Sequence, residues 1–277
     1  MKKWALGAFV YLLVIMGGYW VYDVNFKTEA KTSMDMSQGS TAMTNESHGH
    51  NESGEEHHHE SDSAKIGEVN PNFVYKDGKM EITLKDTHGK LVNDLEVNHE
   101  KLMHLIVVNN HLDQYYHIHP EKIGPGKFAI PYQLADGQYK AFIDVKPKNL
   151  NYKVEPVSFT VGSPVTSHNH PSLIPDRTFV KTIDGEKVEM KVSSFDAGNP
   201  VTLKFQLDES KLEPYLGAAG HVVILNEQAD QYLHVHPSDE HQPVFETQFN
   251  HPGIYKIWAE FKQDGKVRVF PFIIKIS

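Results

Sequence analysis

The stretch that decides the fold is Met103-His104-Leu105-Ile106-Val107-Val108, a short polar turn, and then Tyr115-Tyr116-His117-Ile118-His119-Pro120. A second copy follows later in the chain: His221-Val222-Val223-Ile224-Leu225, a turn, and then Gln231-Tyr232-Leu233-His234-Val235-His236-Pro237. The two copies lie 117 residues apart, as the numbers of His104 and His221 show. The spacing of the three histidines is preserved in both copies, so the chain contains an internal duplication.

Each copy is typical of a β-hairpin, because two runs rich in β-branched and aromatic residues flank turn-forming residues. Residues two apart on a strand share a face, so His117 and His119 point the same way, as do His234 and His236. With the turn centred near residues 111 and 112, His104 lies opposite His119 and diagonal to His117. A register shift of one residue would turn His104 to the other face.

Three imidazoles on one face suit copper or zinc, for which imidazole is a good ligand. A single strand histidine is more often a surface or hydrogen-bonded residue, but here the pattern recurs at fixed spacing. The sequence therefore predicts one three-histidine metal site in each copy, with the two sites apart from one another, and copper favoured over zinc. The six candidate ligands are His104, His117, His119, His221, His234 and His236.

A carboxylate recurs on a later strand of each copy. Residues 137–145 correspond to residues 253–261 at an offset of 116, which places Asp144 opposite Glu260 in the duplication. These carboxylates are candidates either for accepting a hydrogen bond from a ligand imidazole or for serving as a fourth ligand. A solvent-facing strand carboxylate is the alternative interpretation.

Composition restricts the function. The net charge of −9 with neutral histidine argues against a nucleic-acid partner. There is no cysteine in the chain, which excludes thiolate metal sites, disulfides, cysteine nucleophiles and a lipidated cysteine. Any metal must therefore be bound by histidine, methionine, carboxylate or backbone oxygen.

The N-terminal part predicts an extracytoplasmic protein. Residues 4–21 carry no charge and follow Lys2 and Lys3, so residues 1–25 are expected to form a single-pass membrane anchor, or a cleaved signal that leaves a secreted protein. Residues 26–68 are poor in apolar residues and are expected to be a disordered linker. Histidine-rich tracts bind metals, and thioether sulfur favours Cu(I). The candidate ligands in this tail are Met34, Met36, Met43, His48, His50, His57, His58 and His59.

The rest of the chain predicts an all-β fold. Alternating strands separated by turn signals, without a convincing amphipathic helix, indicate two tandem β-sandwich domains of the immunoglobulin-like or cupredoxin-like kind. Their expected bounds are residues 69–163 and 176–277, joined by a proline-rich linker at residues 164–175. Gly217-Ala218-Ala219-Gly220, just before His221, indicates a place where backbones approach closely.

The run Tyr215-Leu216-Gly217-Ala218-Ala219-Gly220-His221, followed by residues 232–237, resembles secreted or membrane-anchored bacterial proteins of the YtkA-like kind. These are similar to the copper-resistance sandwich proteins. The resemblance covers about residues 70–277 and implies immunoglobulin-like β-domains, a metal-related role and association with a copper-transporting ATPase. It implies no established reaction, and the sequence identifies no catalytic residue, so a non-enzymatic copper-binding protein is expected.

Two alternatives remain open. His234, His236 and Glu240 fit the spacing H-x-H-x3-E of cupin metalloenzymes, although the first copy lacks the matching glutamate. A three-histidine zinc enzyme would also need an open coordination position and a general base. In the second alternative, the chain is a tandem β-sandwich adhesin or envelope scaffold whose histidines are incidental.

Overall fold

A computed structural model of the chain describes residues 67–163 and 172–277. The predicted anchor at residues 1–25 and the methionines and histidines of the predicted tail lie outside these ranges. No helix among the described residues has the length and apolar character needed to cross a membrane.

The described residues are almost entirely β-structure. Ten strands lie before the gap: Val69–Lys76 (β1), Lys79–Asp86 (β2), Leu95–Glu96 (β3), His104–Asn109 (β4), Tyr115–Ile118 (β5), Glu121–Gly124 (β6), Lys127–Pro131 (β7), Gly137–Asp144 (β8), Lys146–Pro147 (β9) and Pro156–Val161 (β10). Nine follow it: Val180–Ile183 (β11), Glu186–Val192 (β12), Pro200–Gln206 (β13), Leu212–Glu213 (β14), His221–Asn226 (β15), Tyr232–Val235 (β16), Val244–Gln248 (β17), Gly253–Gln263 (β18) and Lys266–Ile276 (β19). A short 3-10 helix spans Glu209–Lys211.

The strands form two sandwiches with matching plans, which confirms the all-β prediction. In the first, the sheet β1-β2-β7-β6 faces the sheet β10-β8-β4-β5, and a small β3-β9 pair lies beside them. In the second, the sheet β11-β12-β13-β17 faces a sheet ordered β14-β18-β15-β16, in which β19 also pairs with β18. Side chains such as Ile82 and Val107 in the first sandwich, and Phe205 and Ile257 in the second, fill the two cores.

The sheets that contain the histidine hairpins are covered on both faces. On β4, Leu105 and Val107 point into the core of the first sandwich, whereas Ile106 and Val108 belong to a separate apolar cluster. That cluster, called here the interdomain core, combines residues from both sandwiches: Ile106, Val108, Leu112, Phe142, Val223, Leu225, Ala229 and Trp258. The two sandwiches therefore pack against each other through their hairpin sheets.

The contacts across the interdomain core are reciprocal. Tyr115 of the first sandwich stacks on Trp258 of the second, with ring centroids 4.8 Å apart, and Tyr232 of the second stacks on Phe142 of the first at 5.1 Å. Lys140 donates to the carbonyl oxygen of Ala229, and Lys256 donates to that of Leu112. Each contact has a counterpart at the duplicated position, as in an interface between two like subunits.

Gly220 confirms the close backbone approach that the sequence predicts before His221. A Cβ atom at this position would lie 2.6 Å from the carbonyl oxygen of Glu260 and 2.6 Å from the ring of Phe261. Glycine therefore lets the start of β15 lie against β18 at the point where His221 and Glu260 are paired across the two strands.

Candidate metal centre

The hairpin register places the histidines as predicted. Leu105 pairs with Ile118 and Ile106 with His117, so the same register carries His104 opposite His119. On its other side, β4 pairs with β8, and His104 lies opposite Asp144. The second hairpin has the same register, with Val222 paired to Val235 and His221 paired to Glu260 on β18. The histidines therefore point to the same side of the sheet as the interdomain core.

A backbone carbonyl orients the first histidine of each hairpin. His104 Nε2 donates to the carbonyl oxygen of Asn98 at 3.0 Å, and His221 Nε2 donates to that of Tyr215, also at 3.0 Å. The turns that supply these carbonyls are duplicated, because Asn98 and Tyr215 are themselves 117 residues apart. Since Nε2 carries the proton in both rings, the Nδ1 atoms of His104 and His221 present lone pairs.

The second histidine of each hairpin bonds to a carboxylate of the other sandwich. His117 Nδ1 is 2.6 Å from Glu260 Oε2, and His234 Nδ1 is 2.8 Å from Asp144 Oδ2. Tyr232 also donates its hydroxyl to Asp144, at 3.0 Å. A carboxylate that accepts from one imidazole nitrogen leaves the other nitrogen free as a ligand, which is the usual arrangement around protein-bound metals. Here each carboxylate belongs to one sandwich and bonds to a histidine of the other, so the two carboxylates are exchanged between the sandwiches.

The remaining ring nitrogens converge. Three of them are buried and have no hydrogen-bond partner, namely His221 Nδ1, His234 Nε2 and His236 Nε2, and one ring nitrogen from each of these residues lies within 4.8 Å of the others. His104, His117 and His234 form a second group with the same property. His104 Nδ1 lies 2.9 Å from His117 Nε2 and 3.2 Å from His119 Nε2. Two nitrogen ligands of a tetrahedral ion are about 3.3 Å apart, given bonds of about 2.0 Å.

Burial keeps the imidazoles in the neutral form that binds metals. It lowers the pKa of His104, His117 and His119 to about 3 and that of His221 to about 2, and it also lowers the pKa of His236. Neighbouring histidines of the cluster add to each shift. These five rings are therefore uncharged at neutral pH and need no proton loss before they bind a cation.

The two carboxylates differ in their surroundings. Burial raises the pKa of Glu260 to about 8, against the lowering influence of His234 and Tyr115. For Asp144, burial also acts to raise the pKa, but the hydrogen bonds and charge of His234, with the hydroxyl of Tyr232, bring it below its ordinary value. Both groups accordingly lie where a nearby cation stabilises their ionised form.

The structure corrects one expectation. The two sets of histidines were predicted to lie apart, one in each domain, but the ring centroids of His104 and His221 are only 6.1 Å apart and those of His104 and His234 only 4.9 Å. His234 belongs to both convergent groups. The expectation is wrong because each set points away from its own core and toward the other sandwich.

Sequence reasoning missed several members of the cluster. His99 stacks on His236 with ring centroids 3.6 Å apart, and its backbone has a positive φ of 45°. The equivalent residue of the second copy is Leu216, which also has a positive φ. Because the histidine at position 99 is not repeated, the duplication did not identify it as a candidate. The matched pair Tyr115 and Tyr232, 117 residues apart, was a usable signal for the aromatic residues beside the carboxylates. Glu240, the cupin-like candidate, is exposed.

The chain was compared with curated proteins, with solved structures and with protein families. No curated protein matches the chain. Among solved structures, a segment of two fibronectin type III domains from chicken tenascin is similar at 8% identity and a TM-score of 0.25, over 74% of this chain and 97% of that one. The FN1–FN3 domains of chicken CNTN1 are similar at 11% identity and a TM-score of 0.21, over 75% of this chain and 66% of that one. The Escherichia coli adhesin FdeC is similar at 11% identity and a TM-score of 0.24, over 77% and 65%.

A protein-family model matches residues 64–164 and 181–277, which together make up more than half of the chain and contain all six histidines of the hairpins. The chain belongs to the family described as Domain of unknown function (DUF8832).

Proposed function

We propose that this protein binds copper outside the cytoplasm, for sequestration or delivery, through the six histidines of the hairpins. The observation that carries the proposal is the convergence of His221, His234 and His236, each of which brings one ring nitrogen within 4.8 Å of the others and has a buried ring nitrogen without a hydrogen-bond partner. Buried polar atoms in folded proteins are nearly always hydrogen-bonded. One cation bound by these three rings would supply the missing partners.

The neighbouring group supports the same conclusion. His104 donates from Nε2, so its Nδ1 is an acceptor, and His117 Nε2 lies 2.9 Å from it. When an ionised Glu260 accepts from His117 Nδ1, His117 Nε2 is an acceptor as well. In that state the two lone pairs face each other, and a cation bound to both would remove their repulsion. A scaffold with incidental histidines has no use for this arrangement, because hydrophobic side chains would fill the same space without leaving polar groups unsatisfied.

The choice of copper rests on the chemistry of the available donors. Imidazole suits both copper and zinc, whereas the thioethers of Met34, Met36 and Met43 favour Cu(I). The resemblance to YtkA-like and copper-resistance proteins agrees with copper. In this proposal, residues 1–25 anchor the protein in the membrane, the tail captures copper, and a copper-transporting ATPase is the candidate partner. A cupin-type site would need Glu240 beside His234 and His236, and this residue is exposed.

The experiment is metal titration of the full chain in two backgrounds. The first is the natural sequence, and the second replaces the candidate ligands of the tail by serine, so that only the folded domains contribute. In the second background, Cu(I), Cu(II) and Zn(II) are titrated against the protein and against a His221→Ala/His234→Ala/His236→Ala variant.

Stoichiometric copper binding that the triple variant reduces or loses would support the proposal. Absence of stoichiometric binding of any of the three ions would overturn it and favour the scaffold alternative. Stoichiometric zinc binding without copper binding would overturn the copper assignment and favour the zinc alternative.

A further inference from the structure

His234 is common to the two convergent groups of histidines. One group consists of His104, His117 and His234, and the other consists of His221, His234 and His236. In each group, one ring nitrogen from every residue lies within 4.8 Å of the others. His104 and His117 are called here the first pair, and His221 and His236 the second pair. Because the first pair belongs to the first sandwich and His234 to the second, the first group draws its ligands from both sandwiches.

His234 has one nitrogen available for a metal ion. Its Nδ1 lies 2.8 Å from Asp144 Oδ2, and this hydrogen bond occupies that side of the ring whichever of the two groups carries the proton. Tyr232 donates its hydroxyl to the same carboxylate and so holds it in place. His234 Nε2 is buried and has no hydrogen-bond partner among the described residues. Since one nitrogen binds one ion, the two groups cannot both hold an ion on three ligands at the same time.

The five histidines of the two groups are also more than one ion needs. Structural zinc sites are almost always four-coordinate, and Cu(II) favours four ligands in a plane. The ring centroids of the first pair lie 4.9 and 5.4 Å from that of His234, and those of the second pair lie 5.7 and 4.4 Å from it. An ion bound to His234 is therefore surrounded by more imidazoles than it has coordination positions, and both pairs are within similar reach.

We infer that the cluster holds one metal ion at a time, bound by His234 and by either of the two pairs. His234 keeps the ion while the ligands of one pair replace those of the other, so the ion passes between the sandwiches without leaving the protein. This inference rests on the proposed copper-binding function and adds the stoichiometry of the centre and the exchange of its ligands. Such exchange suits delivery, because an ion on replaceable ligands can be released to a partner.

The first test is the number of ions bound by the full chain with the candidate ligands of the tail replaced by serine, called here the parent chain. Cu(I) is supplied without oxygen from a chromogenic Cu(I) chelator, and Cu(II) and Zn(II) are measured by equilibrium dialysis. One ion per chain is expected, because both positions need His234. His119 Nε2 lies 3.2 Å from His104 Nδ1, outside both convergent groups. Two ions per chain would show that His119 completes a separate site with the first pair, and would overturn the inference.

Removal of one pair at a time tests whether the two positions are alternatives. His104→Ala/His117→Ala leaves the second pair with His234, and His221→Ala/His236→Ala leaves the first pair with it. Each double variant is expected to bind one ion with an affinity within about tenfold of that of the parent chain, or about 1.4 kcal/mol. The variant without either pair is expected to bind at least about 100-fold more weakly, beyond the effect of an orienting group. An equally large loss in one folded double variant would overturn the inference, since the remaining pair would then not form a position of its own.

A matched control and a second measurement complete the test. His88→Ala/His241→Ala removes two exposed histidines and is expected to leave the affinity unchanged. Near-ultraviolet circular dichroism establishes whether each variant is folded. In histidine nitrogen NMR spectra of the parent chain, which needs no substitution in the cluster, one equivalent of Cu(I) should shift the imidazole signals of both pairs. A shift confined to one pair would show that the ion has a single position and would overturn the exchange.

Failure of the inference differs from failure of the proposed function. Two ions per chain, or one ion that uses a single pair, would overturn the shared position of the ion while leaving metal binding in place. Absence of binding of Cu(I), Cu(II) and Zn(II) would overturn both.

Discussion

At the scale of single residues, the position of one proton decides what each imidazole can do. Asn98 and Tyr215 supply carbonyl oxygens that fix the proton on Nε2 of His104 and His221. Glu260 and Asp144 lie against Nδ1 of His117 and His234 and expose the opposite nitrogen. When both carboxylates are ionised, the two kinds of acceptor select two different tautomers, and both direct a lone pair toward the same space.

His234 is expected to be the most sensitive single ligand, because it belongs to both convergent groups. His234→Ala should weaken metal binding by about 100-fold or more, beyond the effect of an orienting group. His119→Ala, at the edge of the cluster, should have a smaller effect, and His88→Ala, at an exposed turn, should have none. Competition titrations in the background without tail ligands would measure all three. Equal effects of His234→Ala and His88→Ala would contradict this ranking.

The buried histidines predict acid sensitivity of the metal-free protein. Their pKa values lie below the ordinary 6.5, so the unfolded chain binds more protons than the native protein below that pH. The free energy of unfolding should therefore fall as the pH decreases from about 6.5. Glu260, with its pKa raised to about 8 from 4.5, acts in the opposite direction as a single group. Urea denaturation with a chelator present, at a series of pH values, would test this. Constant stability from about pH 7 to 5 would contradict the buried neutral state.

At the scale of elements, the hairpin could be predicted from the sequence, whereas the elements that pack against it could not. Strand propensity, turn position and the two-residue spacing were enough to predict the register that places His104 opposite His119. The fully apolar runs at residues 105–108 and 222–225 also indicate strands covered on both faces, since a half-exposed strand alternates. What covers the outer face depends on contacts far apart in sequence, and no local pattern specifies them.

The exchange of carboxylates illustrates the same limit. The duplication identified Asp144 and Glu260 as equivalent, and their strand positions beside His104 and His221 were accessible to sequence reasoning. Each carboxylate nevertheless bonds to a histidine of the other sandwich. Both copies have the same sequence pattern. The pattern therefore does not show whether a carboxylate bonds to a histidine of its own copy or to one of the other copy. Only the docking of the two sheets distinguishes these cases.

Trp258 on β18 is expected to stabilise the docking of the two hairpin sheets. Its ring is 3% exposed and stacks on Tyr115, so Trp258→Ala should lower the free energy of unfolding by about 3 to 5 kcal/mol. Ile123→Ala, at a side chain that is 59% exposed, should change it by less than about 0.5 kcal/mol. Chemical denaturation of both variants would provide the comparison. A loss for Trp258→Ala as small as that for Ile123→Ala would show that the interdomain core contributes little.

At the scale of the whole molecule, the sandwiches share a core, a set of reciprocal hydrogen bonds and the histidine cluster. A metal bound by both sandwiches stabilises them together, because any ligand that binds only the native state raises the free energy of unfolding. Copper at about 100 times its dissociation constant should add about 2.7 kcal/mol. Calorimetry should show one transition that moves to higher temperature with copper. Two transitions, of which copper moves only one, would indicate that the sandwiches bind metal independently.

The exchanged carboxylates also bear on how such a centre can arise. Asp144 and Glu260 each complete a site on the opposite copy, so a protein with one copy would have an imidazole without its acceptor and a carboxylate without its donor. Both needs are met when two identical single-copy chains associate about a two-fold axis, since each then supplies the group that the other lacks. A symmetric homodimer is therefore the natural ancestor of this architecture, and gene fusion would have made its association permanent.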